Sequence, residues 1–211
     1  MKLIQQIQKI QNSSTKPKIN QRLKEFEEFQ KKSTQEWFSE LCFCILTANS
    51  KALTAINIQN ELGAKGFCGY CQKDLSQTIK NNKHRFHNNK AKYITQARCY
   101  IDIKTVVQSI IKKNGENEAR EWLVKNVQGL GYKEASHFLR NVGYKNLAIL
   151  DRHIINLMKE EGLLKEKPKT LNKKNYLEIE EAFKNIAEQA NMNFAELDLY
   201  MWFIKTGKIL K

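Results

Sequence analysis

Lys133 and Asp151 are the two side chains whose positions in the sequence most favour covalent chemistry. Lys133 follows a Gly-Leu-Gly turn and stands in the first turn of a helix that we predict to begin near Tyr132. Eighteen residues later, Asp151 stands at the predicted N-cap of another helix. An amine and a carboxylate at two helix N-termini could serve as a nucleophile and its acid–base partner.

An ordinary lysine is a weak nucleophile near neutral pH, because its pKa is about 10.4. A helix N-terminus and neighbouring basic residues both disfavour the ammonium form, so the position of Lys133 favours a reactive amine. An exposed helix lysine without a chemical role is the alternative. Likewise, Asp151 would stabilise its helix as a cap whether or not its carboxylate takes part in a reaction.

The Gly-Leu-Gly turn is typical of an anion-binding site. Gly129 and Gly131 permit backbone conformations that other residues resist, and they leave the amide groups uncovered. Amides at a helix start attract anions, so we predict that these two residues bind a phosphate group. Such a turn can bind a phosphate without any reaction, and the motif alone therefore does not indicate catalysis.

The composition indicates a basic globular protein that meets a polyanion. The 211 residues include 36 Lys and Arg against 22 Asp and Glu, a net charge of +14, which favours nucleic acid or an acidic membrane surface as a partner. No stretch combines a strong apolar face with the basic excess, which argues against the membrane. The apolar runs are too short to span a bilayer, and we expect a cytoplasmic, nucleoid-associated protein. A solvated, lysine-rich surface is the alternative.

The five cysteines do not form a recognisable metal-binding set. Cys42 and Cys44 lie in an apolar helical run and are interpreted as packing residues. Cys68 and Cys71 form a CxxC pair in a Gly-rich loop. With only Cys99 further along the chain, this pair falls short of a zinc or iron–sulfur site. We expect no metal there.

Helical periodicity dominates the chain and predicts an all-α fold. Ser33 and Glu36 form a capping-box pattern at one helix start, and Gly63 and Gly143 are predicted to end two helices. Both prolines, Pro17 and Pro168, are predicted to fall between helices. The helices are predicted near residues 4–10, 19–30, 34–46, 51–63, 90–100, 103–111, 132–142, 152–160, 176–190 and 194–205, with a short one ending near Asn126.

The chain resembles the helix-hairpin-helix DNA glycosylases of base-excision repair. The motifs that carry this resemblance are Gly129-Leu130-Gly131 with Lys133 and Ala135, Leu150-Asp151-Arg152-His153, Leu46-Thr47-Ala48-Asn49, and Lys90-Ala91-x-Tyr93-Ile94. Within the superfamily, the chain resembles the compact archaeal-type 8-oxoguanine DNA glycosylase/lyases. The segments similar to that branch are Glu40–Asn49, Gly131–Leu139, Glu196–Tyr200 and a C-terminal Lys211.

The resemblance implies an all-α fold of two helical lobes with a DNA cleft between them. One lobe would span residues 34–136 and end with the hairpin and Lys133, and the other would combine residues 1–33 with 137–211. No cysteine follows Cys99, so the iron–sulfur cluster of a related branch is not expected. A monovalent cation bridging the hairpin and a phosphate is the one cofactor implied, and we expect a monomer bound to duplex DNA that contains 8-oxoguanine.

The implied reaction is removal of 8-oxoguanine followed by strand cleavage. Lys133 would attack C1′ of the sugar and form a Schiff base, from which β-elimination releases the 3′ phosphate. Asp151 would take a proton from the amine and stabilise the positive sugar. Two other functions stay open: the same chemistry on another oxidised base, and a helix-hairpin-helix module that only binds DNA.

The remaining candidate residues would contact the DNA or the flipped base. Asn49, Arg85 and Phe86 are candidates to fill the gap that the flipped base leaves, although Asn49 stands where many relatives have glutamine. The resemblance implies that the carboxylate of Lys211 recognises the N7 proton of 8-oxoguanine, and Trp202 could stack on the base. Each of these roles has an alternative. The segment around His84 and His87 would be an ordinary polar surface loop, Lys211 would belong to a frayed C-terminal tail, and Trp202 would be a core residue. We interpret His137 and His153 as structural.

Overall fold

In the computed structural model, which describes residues 2–211, every regular element is helical, which confirms the predicted all-α fold. The described residues form twelve α-helices and one short 3-10 turn, Arg98–Tyr100. The helices are α1 (Lys2–Gln11), α2 (Lys16–Phe29), α3 (Thr34–Thr47), α4 (Ala52–Gly69), α5 (Gln72–Asn81), α6 (His87–Ala97), α7 (Ile103–Asn114), α8 (Glu116–Asn126), α9 (Tyr132–Asn141), α10 (Arg152–Glu160), α11 (Lys173–Ala190) and α12 (Phe194–Thr206).

The chain divides into two compact units. The continuous unit is Lys31–Phe138, and the discontinuous unit combines the residues up to Gln30 with Leu139–Lys211. α3 is the core helix of the continuous unit, since every residue from Trp37 to Thr47 is buried and α4, α6 and α7 pack around it. A helix that is apolar on all sides must be covered on all sides.

The start of α3 confirms the predicted capping box. The backbone N–H of Glu36 donates to the Ser33 hydroxyl, and the Ser33 N–H donates to the Glu36 carboxylate at 2.8 Å. The hydrogen bond from the Ser33 backbone is the main reason that the pKa of Glu36 lies below its ordinary value. The two reciprocal bonds fix the residue at which this core helix begins.

α12 has the corresponding central position in the discontinuous unit. It packs against α1, α2, α10 and α11, and it buries Leu197, Leu199, Tyr200 and Met201. Asn193 caps its first turn by accepting a hydrogen bond from the Glu196 N–H at 2.9 Å. The apolar run at the end of the sequence is therefore the core of this unit.

The predicted boundary at Pro17 is wrong, and the one at Gly63 is confirmed. Pro17 lies in the first turn of α2, where its fixed φ suits a helix and its missing N–H removes no hydrogen bond, so it does not separate helices. Gly63, in contrast, has the non-helical values φ 56° and ψ −175°, so α4 consists of two helical stretches that meet at a kink. The predicted helix end at Gly63 is confirmed, and a second helical stretch follows it up to Gly69.

The CxxC segment is consequently helical and does not form a Gly-rich loop. Cys68 lies on the last turn of α4, and Cys71 is the N-cap residue of α5, a helix that the sequence analysis did not predict. The Cys71 thiol donates to the Asp74 carboxylate at 3.2 Å. Cys42 and Cys44 are buried in α3, as predicted for packing residues, and burial raises the pKa of Cys42.

A buried ion pair stabilises the discontinuous unit. The Arg140 guanidinium donates to the Asp198 carboxylate at 2.6 Å, and the two side chains are only 5% and 7% exposed. The guanidinium also lies 4.6 Å from the ring centroid of Phe26. The Phe26 ring therefore covers the flat face of the guanidinium, while Asp198 binds its edge. Because neither charge reaches bulk water, each depends on the other.

We predict that Asp198→Asn lowers the free energy of unfolding by about 3 kcal/mol, because it leaves the Arg140 charge buried without its counterion. Urea denaturation would measure the loss. Glu178→Gln is the matched control, since Glu178 pairs with Lys174 at 4.0 Å on an exposed helix surface and should show no measurable change. Equal effects of the two substitutions would contradict the importance of the buried pair.

Candidate active site

The hairpin before α9 has a shape that only glycine allows at position 129. Gly129 has φ 92°, a conformation that residues with a Cβ rarely adopt. A Cβ there would lie 2.6 Å from Cδ2 of Tyr93, because the Tyr93 ring packs directly on the glycine. The turn is closed by a hydrogen bond from the Leu130 N–H to the Val127 carbonyl at 3.2 Å. α6 therefore supports the hairpin from one side.

The amide of Gly131 is not uncovered, contrary to the sequence prediction. It donates to Oε2 of Glu134 at 3.2 Å, which is the i, i+3 geometry of a side-chain cap. An anion thus occupies one of the positions predicted for a phosphate. The phosphate site predicted at this amide stays a prediction, because an anion that arrives there would compete with Glu134.

Lys133 stands in the first turn of α9, as predicted, and is partly accessible. Its Nζ lies 3.9 Å from Oε1 of Glu134, and its side chain is 20% exposed. Glu134 therefore makes two contacts, one oxygen with the Gly131 amide and the other with the lysine. The candidate nucleophile and the hairpin are linked through a single carboxylate.

A second lysine, which the sequence analysis did not select, lies near this carboxylate. Lys90 on α6 is only 5% exposed, and its Nζ donates to the Ile45 carbonyl at 2.6 Å. Burial lowers its pKa to about 8; the Lys133 cation acts in the same direction, while the Glu134 carboxylate opposes it.

His84 is buried and does not belong to a polar surface loop. Its Nδ1 accepts from the Phe86 N–H at 3.2 Å, so Nε2 carries the proton and donates to the Leu46 carbonyl at 3.0 Å. Burial lowers its pKa, which is consistent with a neutral ring. His87, in contrast, bonds Ser76 at 2.9 Å.

The contact of His84 with the end of α3 brings together the two segments predicted to fill the DNA gap. Asn49 lies three residues beyond Leu46, is exposed and has φ 59°, which asparagine tolerates better than most residues. Arg85 is exposed, and its guanidinium lies 4.5 Å from the ring centroid of Phe86. A polar amide, a cation and an aromatic ring are thus presented by neighbouring loops.

Asp151, in the discontinuous unit, is the N-cap of α10, as predicted. One carboxylate oxygen, Oδ1, accepts from the N–H groups of His153 and Ile154 at 2.8 and 2.9 Å. The residue is half-buried, and no hydrogen bond from residues 2–211 reaches Oδ2. The cap holds the carboxylate in one orientation with one oxygen available.

Trp202 and the C-terminal segment belong to the same unit as Asp151. The Trp202 ring contacts the His153 ring edge to face at 5.1 Å, and its buried Nε1 has no hydrogen-bond partner in the described chain. Ile209, Leu210 and Lys211 are partly buried, and Ile209 lines a groove of about 610 Å³ beside α2. The C-terminal residues are packed, as predicted for a docked end.

Comparison with known proteins agrees with this geometry. A family model described as 8-oxoguanine DNA glycosylase matches residues 19–192. The chain belongs to this family. It is 49% identical over 211 residues to the 8-oxoguanine DNA glycosylase/AP lyase of Methanocaldococcus jannaschii, with 100% of both chains covered. It is 42% identical over 209 residues to the one of Korarchaeum cryptofilum, with 99% of this chain and 98% of the relative covered.

Solved structures of two 8-oxoguanine DNA glycosylases are similar along the whole chain. The Methanocaldococcus jannaschii enzyme in complex with 15mer DNA containing 8-oxoguanine gives a TM-score of 0.96 at 48% identity, with 100% of both chains covered. The Thermotoga maritima enzyme gives a TM-score of 0.92 at 37% identity, and the match covers 100% of this chain and 99% of that chain. The family resemblance seen in the sequence is confirmed.

Residues 2–211 contain neither a membrane-spanning helix nor a cluster of metal-ligating side chains. No helix of this part of the chain is long and apolar enough to cross a membrane. The same residues contain no group of three or more His, Cys, Asp and Glu side chains placed to hold a metal ion. Cys68, Cys71 and Cys99 therefore form no such group in this glycosylase family member.

Sequence analysis of this glycosylase missed Glu134 and Lys90 for different reasons. Glu134 had a local signal, because a carboxylate three residues after Gly131 matches the spacing of a helix cap. No local sequence signal marked Lys90, because its burial depends on the packing of α6 against α3. The motif that contains Lys90 and Tyr93 was recognised as a helix start, and α6 in fact begins three residues earlier, at His87.

We predict that Gly129→Ala destabilises the protein more than Gly115→Ala does. Both glycines have positive φ, 92° and 87°, so both substitutions carry backbone strain of about 1–2 kcal/mol. Only at position 129 does the new Cβ meet another residue, Tyr93, and this overlap should add about 1–3 kcal/mol. Urea unfolding of the two variants measures the difference in the free energy of unfolding. Equal losses of stability would show that the Tyr93 ring moves aside without cost.

Proposed function

We propose that this protein removes 8-oxoguanine from duplex DNA and then cleaves the strand at the abasic site. The observation that carries the proposal is Lys133, held in the first turn of α9 directly after a hairpin whose Gly131 amide binds a carboxylate. Relatives named 8-oxoguanine DNA glycosylase/AP lyase, which align along the entire chain, support the choice of substrate.

Lys133 is the proposed nucleophile. Its neutral amine attacks C1′ of the sugar, the bond from C1′ to the base breaks, and the base leaves with the bonding electrons and takes up a proton. The nitrogen gives up one proton, its lone pair then breaks the C1′–O4′ bond, and the ring oxygen takes up a proton as the sugar ring opens to a protonated Schiff base. Removal of a proton from C2′ then expels the 3′ phosphate, which is the lyase step.

Asp151 is the proposed carboxylate partner of this reaction. A negative group stabilises the positive charge that the sugar develops as the base leaves, and it can receive the proton that the amine releases. Oδ1 is engaged by the helix cap, which leaves Oδ2 for either task. The cap and the chemistry are compatible because they use different oxygens.

DNA binding is proposed to use the hairpin and the two neighbouring loops of the continuous unit. A phosphate that binds at Gly131 competes with the carboxylate of Glu134 for the same N–H. The target base must leave the stack, at a cost of a few kcal/mol. Asn49, Arg85 and Phe86 are placed on loops that could fill the space it leaves.

Lesion recognition is proposed for Lys211 and Trp202. 8-Oxoguanine carries a proton on N7 that guanine lacks, so an acceptor facing N7 attracts the lesion and repels the normal base. A carboxylate at Lys211 would be such an acceptor. Trp202 offers a ring for stacking and an indole N–H that no residue of the described chain accepts.

A monovalent cation at the hairpin, implied by the family, fits the turn. Backbone carbonyls are suitable ligands for a hard cation, and the Val127 carbonyl, which accepts one hydrogen bond, has a second lone pair. Backbone carbonyls of the turn would hold the ion, and its charge would attract an anion. The chemical steps above depend on the side chains alone.

The decisive experiment is borohydride trapping on a duplex that contains a single 8-oxoguanine. We predict that wild type forms a covalent adduct and that Lys133→Gln forms none, because the amide cannot make a Schiff base. Lys125→Gln is the control, since Lys125 is an exposed lysine of the neighbouring helix α8 and should trap like wild type.

Other outcomes of this experiment would replace the proposal. Base release without any adduct in the wild type would indicate water as the nucleophile. Trapping on duplexes with oxidised pyrimidines but not with 8-oxoguanine would give the same chemistry another substrate. Binding without base release or trapping on any damaged duplex would reduce the protein to a DNA-binding module.

We further predict that adding two residues after Lys211 reduces discrimination between 8-oxoguanine and guanine by about tenfold or more. The added residues move the terminal carboxylate away from N7, and a hydrogen bond to a charged group contributes about 1.5–3 kcal/mol. Lys211→Arg keeps the carboxylate and is the control. Excision rates on the two bases, with affinity for undamaged duplex, measure the effect; an equal loss of selectivity and affinity would contradict it.

A further inference from the structure

A hydroxyl group of α11 holds the segment that leads to Asp151. We propose that Tyr176 is a positioning residue for Asp151: together with Glu180, it fixes the buried segment from which the carboxylate projects. The inference deepens the proposed function and depends on the role proposed there for Asp151. It assigns part of the geometry of the site to α11, a helix that contributes no proposed contact with the DNA.

The segment between α9 and α10 is buried without being a helix. Residues 147–150 are at most 6% exposed, and they belong to no regular element. Buried backbone N–H and carbonyl groups need hydrogen-bond partners, and outside a helix or a sheet other groups have to supply them. The position of this segment therefore depends on the side chains that bind its backbone.

Two side chains of α11 supply these partners. The Tyr176 hydroxyl donates to the Ala148 carbonyl at 2.6 Å and accepts from the Leu150 N–H at 3.3 Å. One oxygen of the Glu180 carboxylate accepts from the Ala148 N–H at 3.0 Å. Tyr176 and Glu180 are four residues apart, so they lie on the same face of α11. One helix face thus binds the backbone of the segment at three points.

The last of these hydrogen bonds is made one residue before Asp151. The Asp151 N–H donates to the Ile149 carbonyl at 3.0 Å, and Oδ1 accepts from two N–H groups at the start of α10. Asp151 is therefore held from both sides, by the bound segment before it and by the helix cap after it. A shift of Leu150 would move the backbone of Asp151 and change the direction of Oδ2.

The burial and the chemistry of Tyr176 both fit this role. Its side chain is 0% exposed, so it cannot contact DNA directly. A phenol hydroxyl can donate and accept, which allows one group to bind a carbonyl and an N–H two residues apart. Phenylalanine has the same ring but neither ability. Tyr176→Phe therefore releases the segment with little change in the shape of the side chain.

The test measures the rate of borohydride trapping on a duplex with a single abasic site, under single-turnover conditions with saturating enzyme. This substrate has already lost its base, so slow variants remain measurable. Tyr176→Phe should be roughly tenfold slower than wild type, because a small displacement of a reacting group can cost about 100-fold. Its affinity for undamaged duplex should stay within about twofold of wild type, because the substitution affects a step after binding.

Tyr200→Phe is the matched control. Tyr200 lies in the same unit and is also 0% exposed, and its hydroxyl has no hydrogen-bond partner within residues 2–211. The substitution therefore removes a buried hydroxyl without releasing a backbone group. Tyr200→Phe should trap at the wild-type rate and bind undamaged duplex like wild type.

A double-mutant cycle with Asp151→Asn separates positioning from a merely structural role. Asparagine caps a helix as well as aspartate does, so this variant keeps the start of α10 and removes the reactive carboxylate. With Asp151→Asn present, Tyr176→Phe should change the trapping rate by less than about twofold, since the group that Tyr176 positions is absent. A tyrosine that only supports the fold would slow both backgrounds by the same factor.

A pair of Glu180 variants tests the inference if Tyr176→Phe does not fold. Glu180→Gln keeps an oxygen for the Ala148 N–H and should trap at close to the wild-type rate. Glu180→Ala removes this acceptor and should be about threefold slower or more, and the loss should again disappear with Asp151→Asn present. A wild-type rate for Glu180→Ala would contradict the inference.

Three other results would overturn the inference. They are a wild-type rate for Tyr176→Phe, an equal loss in both backgrounds of the cycle, and an equal loss for Tyr200→Phe. An adduct formed by Lys133→Gln would instead overturn the proposed nucleophile. A wild-type trapping rate for Asp151→Asn would overturn the role proposed for that carboxylate, whatever the rate of Tyr176→Phe.

Discussion

The need to satisfy the last carbonyls of α3 determines much of the arrangement of the continuous unit. α3 is buried on all sides, so water cannot solvate the four carbonyls at its C-terminus, and side chains and the following turn must do so. Each of these four carbonyls accepts a hydrogen bond. The Thr47 hydroxyl donates to the Cys44 carbonyl, the Lys90 ammonium to that of Ile45, His84 Nε2 to that of Leu46, and the Ser50 N–H to that of Thr47. Two of these donors lie on either side of the Arg85–Phe86 loop, so the cap of the core helix also positions residues proposed to contact DNA.

The hairpin and α9 add a second layer to this arrangement. Tyr93 supports Gly129, and Gly131 donates to Glu134, which in turn lies beside Lys133. The chain of contacts therefore runs from the core helix through α6 to the proposed nucleophile. Helix α6 thus contacts both the buried end of α3 and the hairpin that precedes Lys133.

The sequence predicted the parts of the structure that local patterns encode. The Asp151 cap, the Ser33–Glu36 capping box and the start of α9 at Tyr132 all follow from spacing within a few residues, and all are present. Gly63 interrupts α4 as predicted, but the helical stretch that follows it up to Gly69 was not predicted. His84 was placed on the surface because its polar neighbours gave no sign of the Leu46 carbonyl that binds it. Lys90 was not selected for the same reason.

The Glu134 cap has a consequence for any anion that would bind the hairpin. Because a carboxylate already accepts from the Gly131 amide, such an anion would replace another one and would not fill an empty site. The net free energy of such an exchange is small, since one hydrogen bond is lost for each one gained. Affinity for an anion at this turn therefore has to come from contacts other than this amide.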